Sequence, residues 1–212
     1  DKLGKRIVLG VDILEIEKAA TGWIVRTKDF AYLAKNVVVT VGREELSRLV
    51  SSLDEDLAKA ISQVPYSALR VSHVAIPQTA LLPDAFGFLV PETQSSLLYG
   101  SIFVSKLFEG RAKSGFSLAA IFSDTNSTAE SAVDKWSLVL GIPRDKVEVI
   151  DTCVYEQAIP NYPLNHYLLD TQIKEFEAKN PGLYICSIVS GGVGVPDRLA
   201  RARECFSRIS DL

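Results

Sequence analysis

A glycine-rich turn near the C-terminus limits the possible folds more than any other segment. The turn reads GGVGVPD at residues 191–197 and follows an apolar, strand-like run at residues 183–189. A helix is predicted from Pro196 to Ile209, because proline is tolerated in the first turn of a helix, where its missing N–H has no partner. The segment is therefore a strand–glycine turn–helix unit, which is α/β in character.

The sequence of this turn leaves two interpretations open. Free N–H groups at a helix start attract anions, so the turn can contact the phosphate or ring edge of a cofactor. It can equally be a structural turn that packs the helix against the strand. It is not a dinucleotide fingerprint, since no G-x-G-x-x-G occurs in the sequence. The printed chain alone is therefore not expected to bind a dinucleotide in the usual way.

The composition argues against several classes of protein. Of the 212 residues, 47% are hydrophobic and 23% charged, so the chain can bury a core. The net charge of −3 disfavours a nucleic-acid partner, and no apolar run is long enough to span a membrane. The three cysteines and two histidines lack the spacing of a metal site or a disulfide framework.

Charged helix residues such as Arg201 are interpreted as solvated. The sequence begins with Asp and contains no Met, which we interpret as the sign of a fragment or a partial sequence.

The remaining pattern predicts strands interspersed with helices. A hairpin is expected within residues 7–27, and one helix of about four turns is expected at residues 46–57, where leucine and valine recur at helical spacing. Ser127 and Glu130 form a capping box for a second helix, which Gly141 can end. Further β-rich runs lie at residues 68–76, 86–90, 97–104, 116–122 and 147–155. We therefore expect a mixed α+β and α/β fold: a largely antiparallel sheet with flanking helices, plus strand–glycine turn–helix elements.

Two further segments are candidates for ligand contact. Residues 158–167 (AIPNYPLNHY) form a rigid loop that presents aromatic and polar groups to a planar ligand, or else a surface loop with its tyrosines packed in the core. Residues 85–92 (AFGFLVPE) read as a strand. There Gly87 can permit a bend that turns Phe86 and Leu89 toward one ligand, and the alternative is an ordinary core strand.

Taken in order, these segments resemble the protoporphyrinogen oxidase family of the flavin amine-oxidase-like superfamily. Residues 86–92 (FGFLVPE) resemble the family's G-F-G-x-L-V-P, and AIPNYPLNHY resembles A-I-P-Q-Y-x-x-G-H. Residues 180–197 (NPGLYICSIVSGGVGVPD) resemble P-G-L-x-L-A-G-N-x-x-x-G-V-G-V-P-D. Three more segments match in the same order: residues 11–41, 65–67 and 100–112. The series extends over nearly the whole chain.

The sequence departs from that family at several positions. Residues 186–188 (CSI) stand where the family has A-G-N beside the flavin, and residues 123–124 (SD) replace a Gly-Gly pair. The family's G-x-G-x-x-G unit, its helical membrane-binding insertion and its substrate-carboxylate Arg have no counterpart in the printed sequence. The resemblance therefore implies the C-terminal half of such an enzyme, with residues 1–62 and 145–212 in the flavin-binding domain and residues 63–144 in the substrate-binding domain.

The same resemblance implies roles for individual residues. Val11 is expected to touch the adenine side of FAD, and Tyr167 is expected to abut the flavin. Three residues of the glycine turn are expected to meet the flavin with backbone groups: Val193, Gly194 and Val195. Three others are expected to line an apolar slot for a tetrapyrrole: Phe86, Leu89 and Ile121. No catalytic acid or base and no metal ligand is predicted, since this chemistry needs mainly orientation and a dry pocket from the protein.

The resemblance implies a fragment of an oxygen-dependent FAD oxidase that converts protoporphyrinogen IX to protoporphyrin IX in haem synthesis. Its expected partners are the tetrapyrrole, molecular oxygen and the remainder of the enzyme chain. Its expected location is cytoplasmic, with peripheral contact to the inner membrane through the segment absent from this sequence. Two alternatives stay open: a non-catalytic tetrapyrrole- or partner-binding domain, and another flavin enzyme such as an amine oxidase or a carotenoid desaturase.

Overall fold

The computed structural model describes residues 4–94 and 97–210, and this part of the chain divides into two compact units. The first unit contains the described residues up to Pro65 and from Pro160 onward, and the second contains Tyr66–Ile159. The family resemblance implied boundaries at 62/63 and 144/145. The second boundary lies later in the structure because residues 148–160 form a strand of the second unit's sheet.

Within the described residues the strands are β1 (Ile13–Lys18), β2 (Trp23–Thr27), β3 (Ala31–Ala34), β4 (Val37–Val39), β5 (Tyr66–Pro77), β6 (Gly87–Leu89), β7 (Leu98–Ile102), β8 (Phe116–Ser123), β9 (Glu148–Pro160) and β10 (Leu183–Ile185). The helices are α1 (Arg43–Val50), α2 (Glu55–Ser62), α3 (Val104–Leu107), α4 (Ala129–Leu140), α5 (Tyr167–Lys179) and α6 (Val195–Ser210). Short 3₁₀ helices lie at Gly4–Arg6 and Arg144–Lys146. None of the described helices has the length and apolar character needed to span a bilayer.

The first unit combines an antiparallel sheet, β1-β2-β3, with a parallel pair formed by β4 and β10. Helix α2 packs against α1 and α5, and α5 packs against β10. The single helix expected at residues 46–57 is wrong, because the chain forms two helices there. The carboxylate of Asp54 accepts a hydrogen bond from the Leu57 N–H at 2.9 Å and so starts α2 as a new helix.

The second unit is a five-stranded sheet in the order β6-β7-β8-β5-β9. The pairs β6/β7, β7/β8 and β8/β5 are antiparallel, as the sequence pattern predicted. Helix α4 packs against β5, β7 and β8 and buries Val133 and Trp136. Its N-cap is Thr128 rather than the expected Ser127, since the Thr128 hydroxyl accepts the Ser131 N–H at 3.1 Å.

The two faces of this sheet differ in what covers them. Side chains alternate between faces along a strand, and one set packs under α4 in a core that includes Val74, Ile76 and Ile121. We call the opposite face the open face. It carries the alternate residues of the antiparallel strands: Val71, His73 and Ala75 of β5, Leu118, Ala120 and Phe122 of β8, Gly100 and Ile102 of β7, and Leu89 of β6.

Candidate functional site

The glycine turn of the first unit is fixed by a carboxylate within the turn itself. Helix α6 begins at Val195, and the Asp197 carboxylate accepts a hydrogen bond from the Gly194 N–H at 3.0 Å. Gly192 has a φ of +96°, and a Cβ there would lie 2.5 Å from an Asp197 carboxylate oxygen. Glycine is therefore required at position 192 for both conformation and space.

Arg198 fixes the same turn from the helix. Its guanidinium donates hydrogen bonds to the backbone carbonyls of Ser187 and Ser190. The Ser187 hydroxyl in turn donates to the Val41 carbonyl at 2.6 Å, just beyond β4. The turn is thereby tied to the parallel strand pair. The sequence analysis missed Arg198, because nothing in the sequence shows that carbonyl groups of a preceding loop face it.

The loop at residues 158–167 also contacts the turn. The Tyr162 hydroxyl donates to the Ile188 carbonyl at 2.6 Å, and the Tyr162 ring stacks on His166 with 4.2 Å between ring centroids. The Ser190 hydroxyl donates to the Asp170 carboxylate of α5 at 2.7 Å. These contacts give Tyr162 a packing role and bring the first turn of α5 to the glycine turn.

Four of the residues predicted to contact the cofactor have accessible side chains. The exposed fractions are 46% for Val193, 73% for Val195, 65% for Tyr167 and 36% for Val11. Tyr167 is the first residue of α5, so it lies beside the segment that Ser190 and Asp170 hold together. Val11 lies on a different segment, before β1.

This turn fits the ring edge of a flavin better than it fits a phosphate. The first N–H groups of a helix have no intrahelical partner and can donate to polar ring atoms. Val193 and Val195 place apolar side chains beside them. The Asp197 carboxylate, however, already accepts the Gly194 N–H and would repel a phosphate. The chemistry of this turn therefore favours contact with an uncharged group over contact with a phosphate.

A buried ionic cluster supports the turn from the opposite end of α6. The Glu177 side chain of α5 is fully buried and accepts hydrogen bonds from the Ile185 N–H of β10 at 2.7 Å and from Arg201 at 3.1 Å. Arg208 forms a further ion pair with Glu177. Arg201 is only 9% exposed, so its interpretation as a solvated residue is wrong. Its charge is paired with Glu177 and with the half-exposed Glu204.

The open face of the second unit provides an apolar platform. Leu89, Gly100, Phe122 and Val71 are aligned by strand register in one row across four strands. Neighbouring atoms approach Gly100 closely, since a Cβ there would lie 2.4 Å from the Phe88 carbonyl oxygen and 3.1 Å from a Leu89 methyl carbon. The row therefore presents the apolar side chains of Leu89 and Phe122 on either side of a residue that has none.

The structure does not bring the three predicted slot residues together. Leu89 is 86% exposed on the open face, whereas Ile121 is fully buried in the core beneath α4. Phe86 is 65% exposed and precedes β6. Gly87 is the first residue of β6 and pairs with Ile102 of β7. The residue of β8 that shares the open face with Leu89 is Phe122, one position further along the chain.

The open face also carries a polar group that the sequence analysis did not assign. His73 pairs with Ala120, and its exposed imidazole lies among the apolar side chains of this face. Within residues 4–94 and 97–210, no group of three or more acidic, histidine or cysteine side chains is arranged to hold a metal ion. The platform is thus suited to binding a broad apolar ligand, with His73 as a polar side chain on the same face.

Comparison with known proteins shows the family. The family model described as flavin containing amine oxidoreductase matches residues 1–137, well over half of the sequence. The chain therefore belongs to this family of flavin-dependent oxidoreductases.

Several curated relatives of the chain are named protoporphyrinogen oxidases. The chain is 26% identical over 196 residues to protoporphyrinogen oxidase 1, chloroplastic, of Arabidopsis thaliana. That alignment covers 80% of the chain and 36% of the relative. It is 28% identical over 200 residues to the chloroplastic protoporphyrinogen oxidase of Oryza sativa subsp. japonica. That alignment covers 84% of the chain and 37% of the relative. The chain thus spans little more than a third of the length of these two relatives.

A solved structure shows the same fold. The crystal structure of a protein from Exiguobacterium sp. 255-15, provisionally described as a protoporphyrinogen oxidase, superposes with a TM-score of 0.72 at 16% identity. The match covers 94% of this chain and 46% of that one. The predicted mixed fold and the resemblance to protoporphyrinogen oxidases are therefore confirmed.

Proposed function

We propose that this chain is the part of a protoporphyrinogen oxidase that holds the substrate and one edge of the flavin. The intact enzyme oxidises protoporphyrinogen IX to protoporphyrin IX. The observation that carries the proposal is the open face, where Leu89 and Phe122 lie on either side of Gly100. A broad, largely apolar macrocycle matches such a surface, and the similarity to protoporphyrinogen oxidases supports that choice of ligand.

The cofactor proposed for the intact enzyme is FAD. FAD would supply a hydride acceptor for the substrate and a route for the electrons to molecular oxygen, which would be reduced to hydrogen peroxide. Val193, Gly194 and Val195 would meet the flavin ring, with Tyr167 beside it. Arg198, Asp197 and the Glu177 cluster hold these residues in place.

The side chains of the second unit have a different task. Leu89, Phe122 and their apolar neighbours bind and orient the macrocycle and exclude water from its face. No ionic side chain is needed to activate the ring, because the electrons leave to the flavin.

The test is steady-state kinetics of the full-length, FAD-loaded protein with protoporphyrinogen IX. The variant L89A removes an exposed leucine of the platform and should raise KM about tenfold or more, since apolar contacts in a binding site are worth roughly 1–3 kcal/mol per group. The variant L138A is the matched control. It makes the same change at a leucine that is 75% exposed on α4 and outside the open face.

Equal kinetics for L89A and L138A would contradict the platform assignment. A protein with flavin absorption bands that oxidises amines and leaves protoporphyrinogen IX unchanged would indicate another member of the family. A colourless full-length protein whose tryptophan emission is quenched by protoporphyrin IX would indicate a binding module without redox chemistry.

A further inference from the structure

A cavity of about 380 Å³ lies at the end of the open face away from Leu89. Its floor is apolar and includes Ala75, Leu118, Phe116 and Ile150. Ala75 and Leu118 are paired residues of β5 and β8, so this floor continues the open face. The cavity is therefore an extension of the platform.

One side of this cavity carries positive charge. Arg111 and Lys113 line it from the segment between α3 and β8, and both side chains are exposed. Among the ion pairs of residues 4–94 and 97–210, neither is paired with a carboxylate. The Arg111 guanidinium lies 5.5 Å from the centre of the Phe108 ring. Glu148 also lines the cavity, which leaves two cations to one carboxylate.

The distance along β8 from Leu118 to Phe122 suits a ring that carries carboxylate substituents. Leu118 and Phe122 are four residues apart on β8, which is about 13 Å at ~3.3 Å per residue. A ring centred over Ala120 lies about 7 Å along the strand from each of them. Its apolar body then covers the platform, while short carboxylate arms extend toward the cavity.

We propose that Arg111 and Lys113 bind the carboxylates of a planar dicarboxylic ligand seated on the open face. The inference rests on the proposed function and adds what orients the substrate. An arginine can take a carboxylate through two parallel N–H donors, and a lysine adds a mobile point charge. The apolar row selects the ring, and the two cations decide which edge of it points along β8.

The test compares two probes that share one ring. Protoporphyrin IX carries two carboxylates, and protoporphyrin IX dimethyl ester carries none. Binding of each to the full-length protein is measured by fluorescence titration. The variant R111A/K113A should bind the diacid three- to tenfold more weakly at low ionic strength, and added salt should narrow that difference. Its affinity for the diester should equal that of the wild type.

The control variant K28A/K59A removes two exposed lysines of the first unit, neither of which lines the cavity, and should leave both affinities unchanged. Equal loss of diacid and diester affinity in R111A/K113A would overturn the inference, because it would indicate damage to the platform rather than loss of charge recognition. So would unchanged affinity for the diacid. Failure of the wild type to bind either ring would instead refute the proposed function.

Discussion

The buried carboxylate of Glu177 should decide whether the glycine turn at residues 191–197 keeps its shape. Its side chain has no exposed surface and accepts hydrogen bonds from three segments: β10, through Ile185, and two turns of α6, through Arg201 and Arg208. The variant E177Q keeps the volume of the side chain but removes the charge that both arginines face. Breaking a buried ion pair in this way costs about 3–5 kcal/mol. Because Arg208 is 37% exposed, we expect a value near the lower end, about 3 kcal/mol.

The matched control is E204Q. Glu204 pairs with the same Arg201 at 2.8 Å but is 51% exposed, so its loss should cost about 0.2–1 kcal/mol. Native-state hydrogen exchange of the full-length protein measures both variants. In E177Q the opening free energy of residues 183–190 and of α6 should fall by about 3 kcal/mol, a roughly 100-fold faster exchange. Strand β8 of the second unit serves as the internal reference. Equal, small changes in the two variants would refute the reasoning.

Two further predictions concern single residues. G100A should lower the melting temperature, because its Cβ would lie 2.4 Å from the Phe88 carbonyl oxygen. We expect a cost of about 2 kcal/mol or more, and G42A, which meets no atom within 4 Å and changes only the N-cap of α1, should cost less. Burial raises the pKa of the Cys205 thiol to about 11 from an ordinary 9.0. The unfolded chain therefore loses this proton first, so the stability that Cys205 contributes is complete below pH 9 and is lost as the pH rises from about 9 to 11. The free energy of unfolding should fall less over this range in C205A than in the wild type, and an equal fall would contradict the assignment.

The elements that the sequence predicted well are those specified by neighbouring residues. The strand, glycine turn and last helix at the C-terminus were predicted within a few residues, because proline and glycine act locally on the backbone. The end of α4 at Gly141 follows from the same kind of signal. The break between α1 and α2 was missed, since the leucine pattern continues through residues 51–54 while the Asp54 cap interrupts the helix.

Which face of the second unit's sheet each side chain occupies could not be predicted from the sequence. Moving one position along a strand turns a side chain to the other face, and this separates Ile121 beneath α4 from Phe122 on the open face. The burial of Glu177 was equally inaccessible, because its partners come from segments 8 to 31 residues away in sequence. Such pairings depend on the packed fold rather than on local pattern.

The two connections between the units have a consequence for how this protein can change. The second unit is an insertion in the first, and the residues at its entry and exit are held together: the Asn161 N–H donates to the Pro65 carbonyl at 2.8 Å. A segment whose ends meet can be replaced as one cassette without altering the path of the chain around it. New ligand preferences can therefore arise by exchanging residues 66–159, while the glycine turn and its supporting ion pairs stay as they are.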